Sequence, residues 1–302
     1  MRECLENVRK KNPLIHNITN YVTVNDVANA LLACGGSPIM AEAAEEVEEI
    51  TAGCDGLNLN IGMLNPAKAC AMELAGLRAQ KEGHVILLDP VGVGASAFRR
   101  ETVKRLLEKI KFTAIRGNIS EIRAIAELVG VLHSDVKYKG AAEAGDFDRT
   151  KDAIAEKIEG KAHGVDAAQG EAVTEENAEA TVQLVKKLAG RTGSIIAVTG
   201  RIDLVADEKT CYRIQNGRPE MSRITGTGCQ LSGMMTAFLA ANPDCPLEAA
   251  AAAVCCMGLA GEKAWEYMGA GEGNASYRNR IIDAISLMEG EALEKGARYE
   301  IC

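Results

Sequence analysis

A glycine-rich segment in the last third of the chain has the residue types that bind phosphate groups. It runs Thr225-Gly226-Thr227-Gly228-Cys229 and is followed by an apolar, helix-like stretch, QLSGMMTAFLAA. Glycines just before a helix let the backbone turn sharply and leave bare N–H groups, which attract an anion together with the helix dipole. The pattern predicts an anion hole for a phosphoryl group in transfer. A simple glycine-rich turn that caps the helix is the alternative.

An acidic residue closes a strand-like run in the segment LDPVGVG, residues 88–94. Ligands of open parallel sheets bind beyond the carboxyl ends of the strands, so Asp89 would face a ligand or a magnesium ion. The alternative is that Asp89 caps the turn that follows it. The GVG portion is too short for the glycine fingerprint of a dinucleotide site.

The segment RGNISE, residues 116–121, also follows a strand-like run. The planar guanidinium of Arg116 suits phosphate oxygens, and Glu121 could hold a hydrated magnesium ion beside them. Asn118 and Glu121 stand three residues apart. They are equally well explained as an N-cap and its capping-box partner.

Three isolated residues add weaker signals. Thr199, in VTG, closes another strand-like run and would lie beside a nucleotide. Met40 ends the run GSPIM, where its thioether could line an aromatic pocket, although core packing explains a lone Met as well. His16, in IHNITN, is expected to serve the core or a turn.

The elements that must position these residues alternate between strand-like and helix-like patterns. Six short apolar runs are predicted as buried strands: PLIHNI, GSPIMA, GLNLNIG, VILLDP, TAIRGN and SIIAVTG. Helical patterns separate them, such as residues 65–83, where Asn65 is the expected N-cap and Pro66 the first helical residue. This alternation predicts an α/β fold with a mostly parallel central sheet and helices on both faces.

The last third of the chain follows another pattern. DLVAD and CYRIQN are predicted to form a hairpin that extends the sheet. Three long helices are expected after it, at roughly 227–242, 246–268 and 274–297. Because no linker rich in Pro, Gly or Ser divides the chain, residues 1–302 are interpreted as a single domain.

A highly charged segment interrupts this domain at about 131–163. It contains six Lys or Arg and seven Asp or Glu residues. Long connections inside compact domains are uncommon and usually form lids, functional loops or mobile inserts. The segment is therefore predicted to be a surface insert, and an influence on nucleotide access is left open.

The overall composition restricts the class of protein. Of 302 residues, 47% are hydrophobic and 25% are charged, and the net charge is −8. An acidic chain argues against nucleic acid as a partner, but not against a small anionic ligand. No membrane association is expected, since no apolar run approaches about 18 residues. The N-terminus lacks a signal peptide's apolar core and the ten cysteines form no C-x-x-C pair. We therefore expect a cytoplasmic protein.

Taken together and in order, SPIMA, LDPVGVGAS, IRGN-x-x-E, VTG and ITGTGCQLSG resemble the hydroxyethylthiazole kinase family. The resemblance covers about residues 12–130 and 164–300 and implies a ribokinase-like fold. It further implies transfer of the ATP γ-phosphoryl group to the hydroxyl of 4-methyl-5-(2-hydroxyethyl)thiazole, with Mg2+, in thiamine salvage. Members of the family form homotrimers with substrate pockets at subunit interfaces, so a homotrimer is expected here.

The same resemblance assigns residues to the thiazole side of the site. Met40 and Gly226 match residues that contact the thiazole, and Asn20, in HNITN, lies near that pocket. Cys229 falls where the wider ribokinase superfamily carries a catalytic Asp, and it is expected to orient the hydroxyl. Whether its sulfur is a thiol or a thiolate stays open, since phosphate charge and the helix N-terminus act in opposite directions.

The nucleotide side is assigned in the same way. Arg116 and Thr199 match residues that contact the nucleotide. Asp89 and Glu121 match acidic residues of the magnesium–phosphate region. The charged insert at about 131–163 departs from the pattern of the family, whose members are expected to have a shorter connection there.

Other functions remain open at the level of the sequence. One is a ribokinase-like kinase for another hydroxylated heterocycle, such as hydroxymethylpyrimidine, although TGTGC with SPIMA and HNITN favours the thiazole. Another is a catalytically silent nucleotide-binding protein, which the joint presence of Asp89, Arg116, Glu121 and Gly226 argues against. A dinucleotide-dependent oxidoreductase is disfavoured by the missing fingerprint.

Overall fold

The structure, a computed structural model, describes residues 1–132 and 173–302. The described residues form one nine-stranded sheet with the strand order β2-β1-β3-β4-β5-β6-β7-β8-β9. The strands are β1 (Leu14–Ile18), β2 (Ser37–Met40), β3 (Gly56–Asn60), β4 (Val85–Asp89), β5 (Ala114–Gly117), β6 (Ile195–Val198), β7 (Asp203–Ala206), β8 (Cys211–Ile214) and β9 (Tyr299–Ile301). Neighbouring strands from β2 to β6 are parallel, whereas β7, β8 and β9 pair antiparallel.

Helices connect and cover these strands. They are α1 (Arg2–Lys11), α2 (Val24–Cys34), α3 (Val47–Ala52), α4 (Pro66–Glu82), α5 (Ala97–Lys109), α6 (Ile119–Leu128), α7 (Ala178–Thr192), α8 (Thr227–Ala241), α9 (Pro246–Glu266), α10 (Asn274–Ser286) and α11 (Gly290–Gly296). A short 3-10 helix, Pro219–Arg223, precedes α8. None of these described helices is both long and apolar enough to cross a membrane.

Two hydrophobic cores lie on opposite faces of the sheet. One contains residues of α1, α2, α8, α9, α10 and α11, and the other contains residues of α4, α5, α6 and α7. β3 is buried along its whole length, as expected for a parallel strand covered on both faces. The predicted α/β architecture, with a mostly parallel sheet between two layers of helices, is therefore confirmed.

The order of the strands indicates where a ligand would bind. β1 has β2 on one side and β3 on the other, so the chain reverses its direction of sheet growth at this point. Open α/β sheets bind ligands at such a switch point, outside the carboxyl ends of the strands. Helix α8 packs against β1, β3 and β4, with its first turn beside the ends of these strands.

Two details of the predicted elements are wrong. The helix expected at 274–297 is two helices, because the chain leaves helical geometry at Glu289 (φ −84°, ψ 150°). This break buries Met288 and leaves Leu287 80% exposed. The apolar spacing of FRRETVKRLLEKIK, residues 98–111, also predicts Phe98 on the buried face of α5. Phe98 is instead 44% exposed, because that face is formed by Val103 and Leu106.

The charged insert predicted at about 131–163 lies, beyond its first two residues, outside the described residues. The helix α1 and the edge strand β9 were absent from the sequence-based expectations. The predicted hairpin is present as β7 and β8, in antiparallel register.

Candidate functional site

The glycine turn before α8 leaves a set of backbone amides without acceptors inside the helix. Gly226 is the N-cap, with φ +91°, and a Cβ at this position would stand 2.4 Å from Cγ2 of Thr23. Both features require glycine. The helix has no side-chain N-cap hydrogen bond, so the N–H groups of its first turn are available to a ligand. The first turn of α8 is thus built to receive an anion.

Cys229 is at the third position of α8 and is buried. Its sulfur accepts hydrogen bonds from Nδ2 of Asn20 at 3.3 Å and from Nδ2 of Asn60 at 3.2 Å. Burial, followed by the nearby charge of Asp89, raises the pKa of the Cys229 thiol. These effects favour the protonated thiol, the state that the sequence left open, and they disfavour a role as a base.

Asn20 follows β1 and is held from both ends of its amide. Its Oδ1 accepts from N and Oγ1 of Thr23, at 3.2 and 3.1 Å. Its Nδ2 donates to Oδ1 of Asn60 at 3.1 Å as well as to Cys229. The loop after β1 is therefore tied to the start of α8.

Asp89 closes β4 and is fully buried. Its Oδ2 accepts from Nδ2 of Asn60 at 2.7 Å and from Oγ of Ser232 at 2.8 Å. These partners come from β3 and α8, so the alternative, in which Asp89 caps the turn that follows it, is not what the structure shows. Oδ1 has no hydrogen-bond partner and stands 3.8 Å from Nη1 of Arg116. Burial raises the pKa of Asp89.

Arg116 lies near the end of β5 and connects three parts of the site. Its Nη2 donates to Oγ1 of Thr199, which follows β6. Its guanidinium also lies against the backbone of Gly228, the second residue of α8. Asp203 supports the same region, because its Oδ1 accepts from N of Gly200 at 2.8 Å. Burial raises the pKa of Asp203 to about 7.

Glu121 forms the capping box that the sequence left as one of two possibilities. Its Oε2 accepts from N of Asn118 at 2.8 Å, and Oδ1 of Asn118 accepts from N of Glu121 at 2.9 Å. Its Oε1 accepts from N of Gly92 at 2.9 Å, which links the loop after β4 to α6. Burial and the charge of Asp89 raise the pKa of Glu121 to about 7.

Met40 ends β2 at the same edge of the sheet and is partly buried. It packs against the hydrophobic core that includes Cys229.

His16 is buried in β1, and both of its ring nitrogens form hydrogen bonds, one with Oγ1 of Thr51 and one with the carbonyl of Ala41, each at 2.9 Å. The core role expected for His16 is therefore confirmed, and His16 holds the residue that follows Met40.

The structure thus brings the predicted residues to one edge of the sheet. Direct contacts connect Asn20, Cys229 and Asp89 through Asn60, and Arg116 connects Asp89 to Thr199 and Gly228. Met40 lies at the same carboxyl edge and packs against the core rather than hydrogen bonding to this network.

Sequence reasoning missed two members of the network, Asn60 and Ser232. Asn60 stands in the run GLNLNIG, where polar residues interrupt a buried strand. An amide at the end of such a strand is a usable signal, because a buried amide requires partners. Ser232 lies three residues after Cys229 on α8, and only the helix orientation shows that it reaches Asp89.

The donors around Asp89 suit a magnesium ion that is held together with phosphate oxygens. In the described ranges, no three His, Cys, Asp or Glu residues come together as a metal-binding group. Magnesium bound with a nucleotide needs only one or two carboxylates, since phosphate and water supply the other ligands. Oδ1 of Asp89, fully buried and without a hydrogen bond, fits such an ion, whereas both oxygens of Glu121 already accept backbone N–H groups.

Comparison with known proteins gives a consistent result. A sequence model described as the hydroxyethylthiazole kinase family matches residues 5–145 and 151–291. A hydroxyethylthiazole kinase of Clostridium acetobutylicum is 49% identical, over 99% of this chain and 99% of that protein. The solved structure of a hydroxyethylthiazole kinase from Pyrococcus horikoshii OT3 is 30% identical with a TM-score of 0.79, covering 99% of this chain and 98% of that one.

A more distant solved structure supports the fold alone. A ribokinase-like superfamily protein of Enterococcus faecalis is 13% identical with a TM-score of 0.57, covering 98% of this chain and 95% of that one. The predicted ribokinase-like fold is therefore confirmed.

Proposed function

The chain belongs to the hydroxyethylthiazole kinase family, and we propose that it transfers the γ-phosphoryl group of ATP to the hydroxyl of 4-methyl-5-(2-hydroxyethyl)thiazole. The products are the thiazole phosphate and ADP, as in the salvage branch of thiamine synthesis. One observation carries the proposal. The free amides of the first turn of α8, the sulfur of Cys229 and the Asp89 oxygen that accepts no hydrogen bond meet at the carboxyl edge of the sheet.

The phosphoryl group is received by the turn that starts α8. Amides of this turn face the position where negative charge gathers as the γ-phosphoryl group leaves ADP. The guanidinium of Arg116, anchored by Thr199, lies beside the turn and supplies a planar pair of donors for phosphate oxygens. Phosphoryl transfer has a loose transition state, so positioning and charge stabilisation account for most of the catalysis.

The alcohol is oriented by Cys229. Its raised thiol pKa makes it a poor proton acceptor, but its buried sulfur stands in a fixed position held by two amides. The hydroxyl of the substrate approaches the phosphorus along this sulfur, and its proton is lost late, to the transferred phosphate or to water. Cys229 therefore positions the nucleophile.

The heterocycle is assigned to the space between the loop after β1 and the end of β2. Asn20, Gly226 and Met40 border this region, and the thioether of Met40 offers a polarizable contact to an aromatic ring. Thr23 and Gly226 pack in close contact there, so the size of the pocket depends on glycine at position 226.

A magnesium ion would be held by Oδ1 of Asp89 together with phosphate oxygens of ATP. Glu121 would lie close to Asp89 without binding the ion directly. When bound, such an ion neutralises phosphate charge and aligns the γ-phosphoryl group. Arg116 would contact the phosphates independently of the ion, because Thr199 holds its guanidinium beside Gly228.

The assembly and the compartment are part of the same proposal. A cytoplasmic homotrimer agrees with two observations. All ten cysteines carry free thiols, as suits a reducing compartment. Tyr21 and Val22, next to Asn20, are 57% and 64% exposed and give the rim of the site an apolar surface for another subunit. Light scattering coupled to gel filtration measures the subunit number.

Product analysis tests the function directly. The purified protein is supplied with ATP, magnesium and a panel of heterocyclic alcohols, including hydroxyethylthiazole and hydroxymethylpyrimidine. We expect only the thiazole to gain the mass of a phosphoryl group at a substantial rate. Phosphorylation of the pyrimidine instead, or calorimetric binding of ATP with no product from any alcohol, would contradict the proposal.

A further inference from the structure

Asn60 is the one residue of the network that touches both the sulfur of Cys229 and the carboxylate of Asp89. It is the last residue of β3 and is fully buried. Its Nδ2 donates to Oδ2 of Asp89 at 2.7 Å and to Sγ of Cys229 at 3.2 Å. Its Oδ1 accepts from Nδ2 of Asn20 at 3.1 Å and from N of Gly62 at 2.9 Å. Both hydrogens and both lone pairs of the amide are thus in use.

The orientation of this amide is fixed by its neighbours. The backbone N–H of Gly62 can only donate, so the atom facing it must be the amide oxygen. The amide nitrogen must then point toward Asp89 and Cys229. Parallel pairing of β3 with β4 sets Asn60 beside Asp89 in register, which places the donor next to the carboxylate.

We propose that Asn60 is a positioning residue for phosphoryl transfer, whose amide sets the sulfur of Cys229 and the carboxylate of Asp89 relative to each other. This inference rests on the proposed function, in which Cys229 orients the alcohol and Asp89 faces the phosphates. Without Asn60, Asp89 keeps the hydrogen bond from Ser232 and Cys229 keeps the one from Asn20. No shared residue then fixes the distance between the sulfur and the carboxylate.

A purely structural role does not explain the contacts of Asn60. Asn58 lies two residues earlier on the same strand, and therefore on the same face, and it is also fully buried. Its Nδ2 donates instead to Oδ1 of Asn17 at 3.0 Å, farther from the carboxyl end of the strand. The chain thus contains a buried Asn of the same strand and face that does not contact Cys229 or Asp89.

The test compares Asn60→Leu and Asn60→Ser with the matched control Asn58→Leu. Leucine has the branched shape of asparagine, although it is larger, and it removes the hydrogen bonds, while serine is smaller and is expected to fold if leucine does not. We expect kcat for the thiazole alcohol to fall by about 10²-fold in both Asn60 variants, the typical effect of a misplaced reacting group. The Kd for ATP, measured without magnesium so that the ion site at Asp89 does not contribute, should stay unchanged, because Asn60 does not contact Arg116 or Thr199. Asn58→Leu should keep the wild-type kcat.

Comparing the change in kcat with the change in the Kd for ATP distinguishes a positioning role of Asn60 from a general loss of stability. A variant that only loses stability would lower its melting temperature and its ATP binding together, and Asn58→Leu would behave in the same way. The proposal is overturned if Asn60→Ser keeps the wild-type kcat, or if the Asn58 and Asn60 variants lose kcat equally.

A crystal structure of Asn60→Leu gives a readout that needs no activity and so distinguishes this inference from the proposed function. We expect the Cys229 sulfur and the Asp89 carboxylate to change their separation by more than about 0.5 Å, the tolerance of a productive site. An unchanged separation would overturn the positioning role even if the wild-type protein phosphorylates the thiazole. A changed separation would uphold it even if another alcohol proves to be the substrate.

Discussion

The guanidinium of Arg116 lies directly against the backbone of Gly228, so closely that a Cβ at position 228 would stand 2.5 Å from Nη1. The same guanidinium donates to Oγ1 of Thr199 and stands 3.8 Å from Oδ1 of Asp89. The glycine turn and the arginine therefore form one surface, and the glycine at position 228 is what allows the side chain to approach the first turn of α8.

Gly228→Ala should weaken nucleotide binding. The added methyl group displaces the guanidinium, so at least one charge-assisted hydrogen bond to phosphate is lost, which is worth about 1.5 kcal/mol or roughly tenfold in Kd. Calorimetric titration with ATP measures the change. Gly53→Ala is the control, because a Cβ there meets only an ordinary contact at 3.7 Å. Unchanged affinity in Gly228→Ala would show that Arg116 does not bind the nucleotide from this position.

Cys229→Ala should retain measurable turnover. A raised thiol pKa makes the sulfur a poor base, so alanine removes orientation but not proton transfer. We expect kcat to fall by about tenfold, less than the 10²–10⁴-fold that the loss of a general base typically costs. Cys70→Ala, at an exposed cysteine of α4, is the control. A rate equal to that of a reaction without enzyme would contradict an orienting role.

Asp203→Asn should stabilise the protein more at high pH than at low pH. Burial raises the pKa of Asp203 from 3.8 to about 7. The folded state therefore favours the protonated carboxyl, and the stability that this gives is complete below the unfolded pKa and is lost as pH rises toward 7. Asparagine keeps a neutral acceptor for N of Gly200 at every pH.

Urea unfolding of the wild type and of Asp203→Asn at about pH 4 and about pH 8 measures this difference. The gain in unfolding free energy from Asn should be near zero at the lower pH and largest at the higher one. Asp244→Asn, at an exposed turn, is the control. A gain of equal size at both pH values would show that Asp203 is ionised throughout.

Glu42→Gln should cost more stability than the removal of an ordinary surface ion pair. Oε2 of Glu42 stands 2.8 Å from Nζ of Lys68, whose side chain is only 1% exposed. Glutamine leaves that buried ammonium group without a counter-charge, and since Glu42 itself is partly exposed we expect a loss of about 1–3 kcal/mol. Glu291→Gln breaks the pair with Lys295, in which both side chains are mostly exposed, and should cost less than about 0.5 kcal/mol. Equal losses in urea unfolding would exclude a special role for Lys68.

The sheet and its binding edge could be predicted from the sequence because the parallel strands are short apolar runs that end in polar or glycine residues. Asp89, Arg116 and Thr199 each stand at or next to the end of such a run, and parallel strands bring these ends to one edge. The α10–α11 break was missed because periodicity continues across residues 287–289. Only the tertiary requirement to bury Met288 shows that the helix must turn there.

The contacts inside the site could be predicted only in part. The three-residue spacing of Asn118 and Glu121 was compatible with a capping box, and the structure contains this capping box. The link from Asn60 to Cys229 joins residues 169 positions apart, and no local pattern encodes such a pairing. In the sequence, Asn60 is only a polar residue within a buried strand. The register of the sheet is needed to place it beside Asp89.

The central claim is that the amides of the first turn of α8 hold the phosphoryl group while it moves from ATP to the alcohol. A crystal structure with a non-hydrolysable ATP analogue, magnesium and hydroxyethylthiazole tests it most directly. We expect γ-phosphate oxygens within hydrogen-bond distance, about 2.7–3.2 Å, of backbone N–H groups at Thr227 to Cys229, with the substrate hydroxyl beside the Cys229 sulfur. A terminal phosphate bound at another edge of the sheet, with this turn empty, would contradict the account.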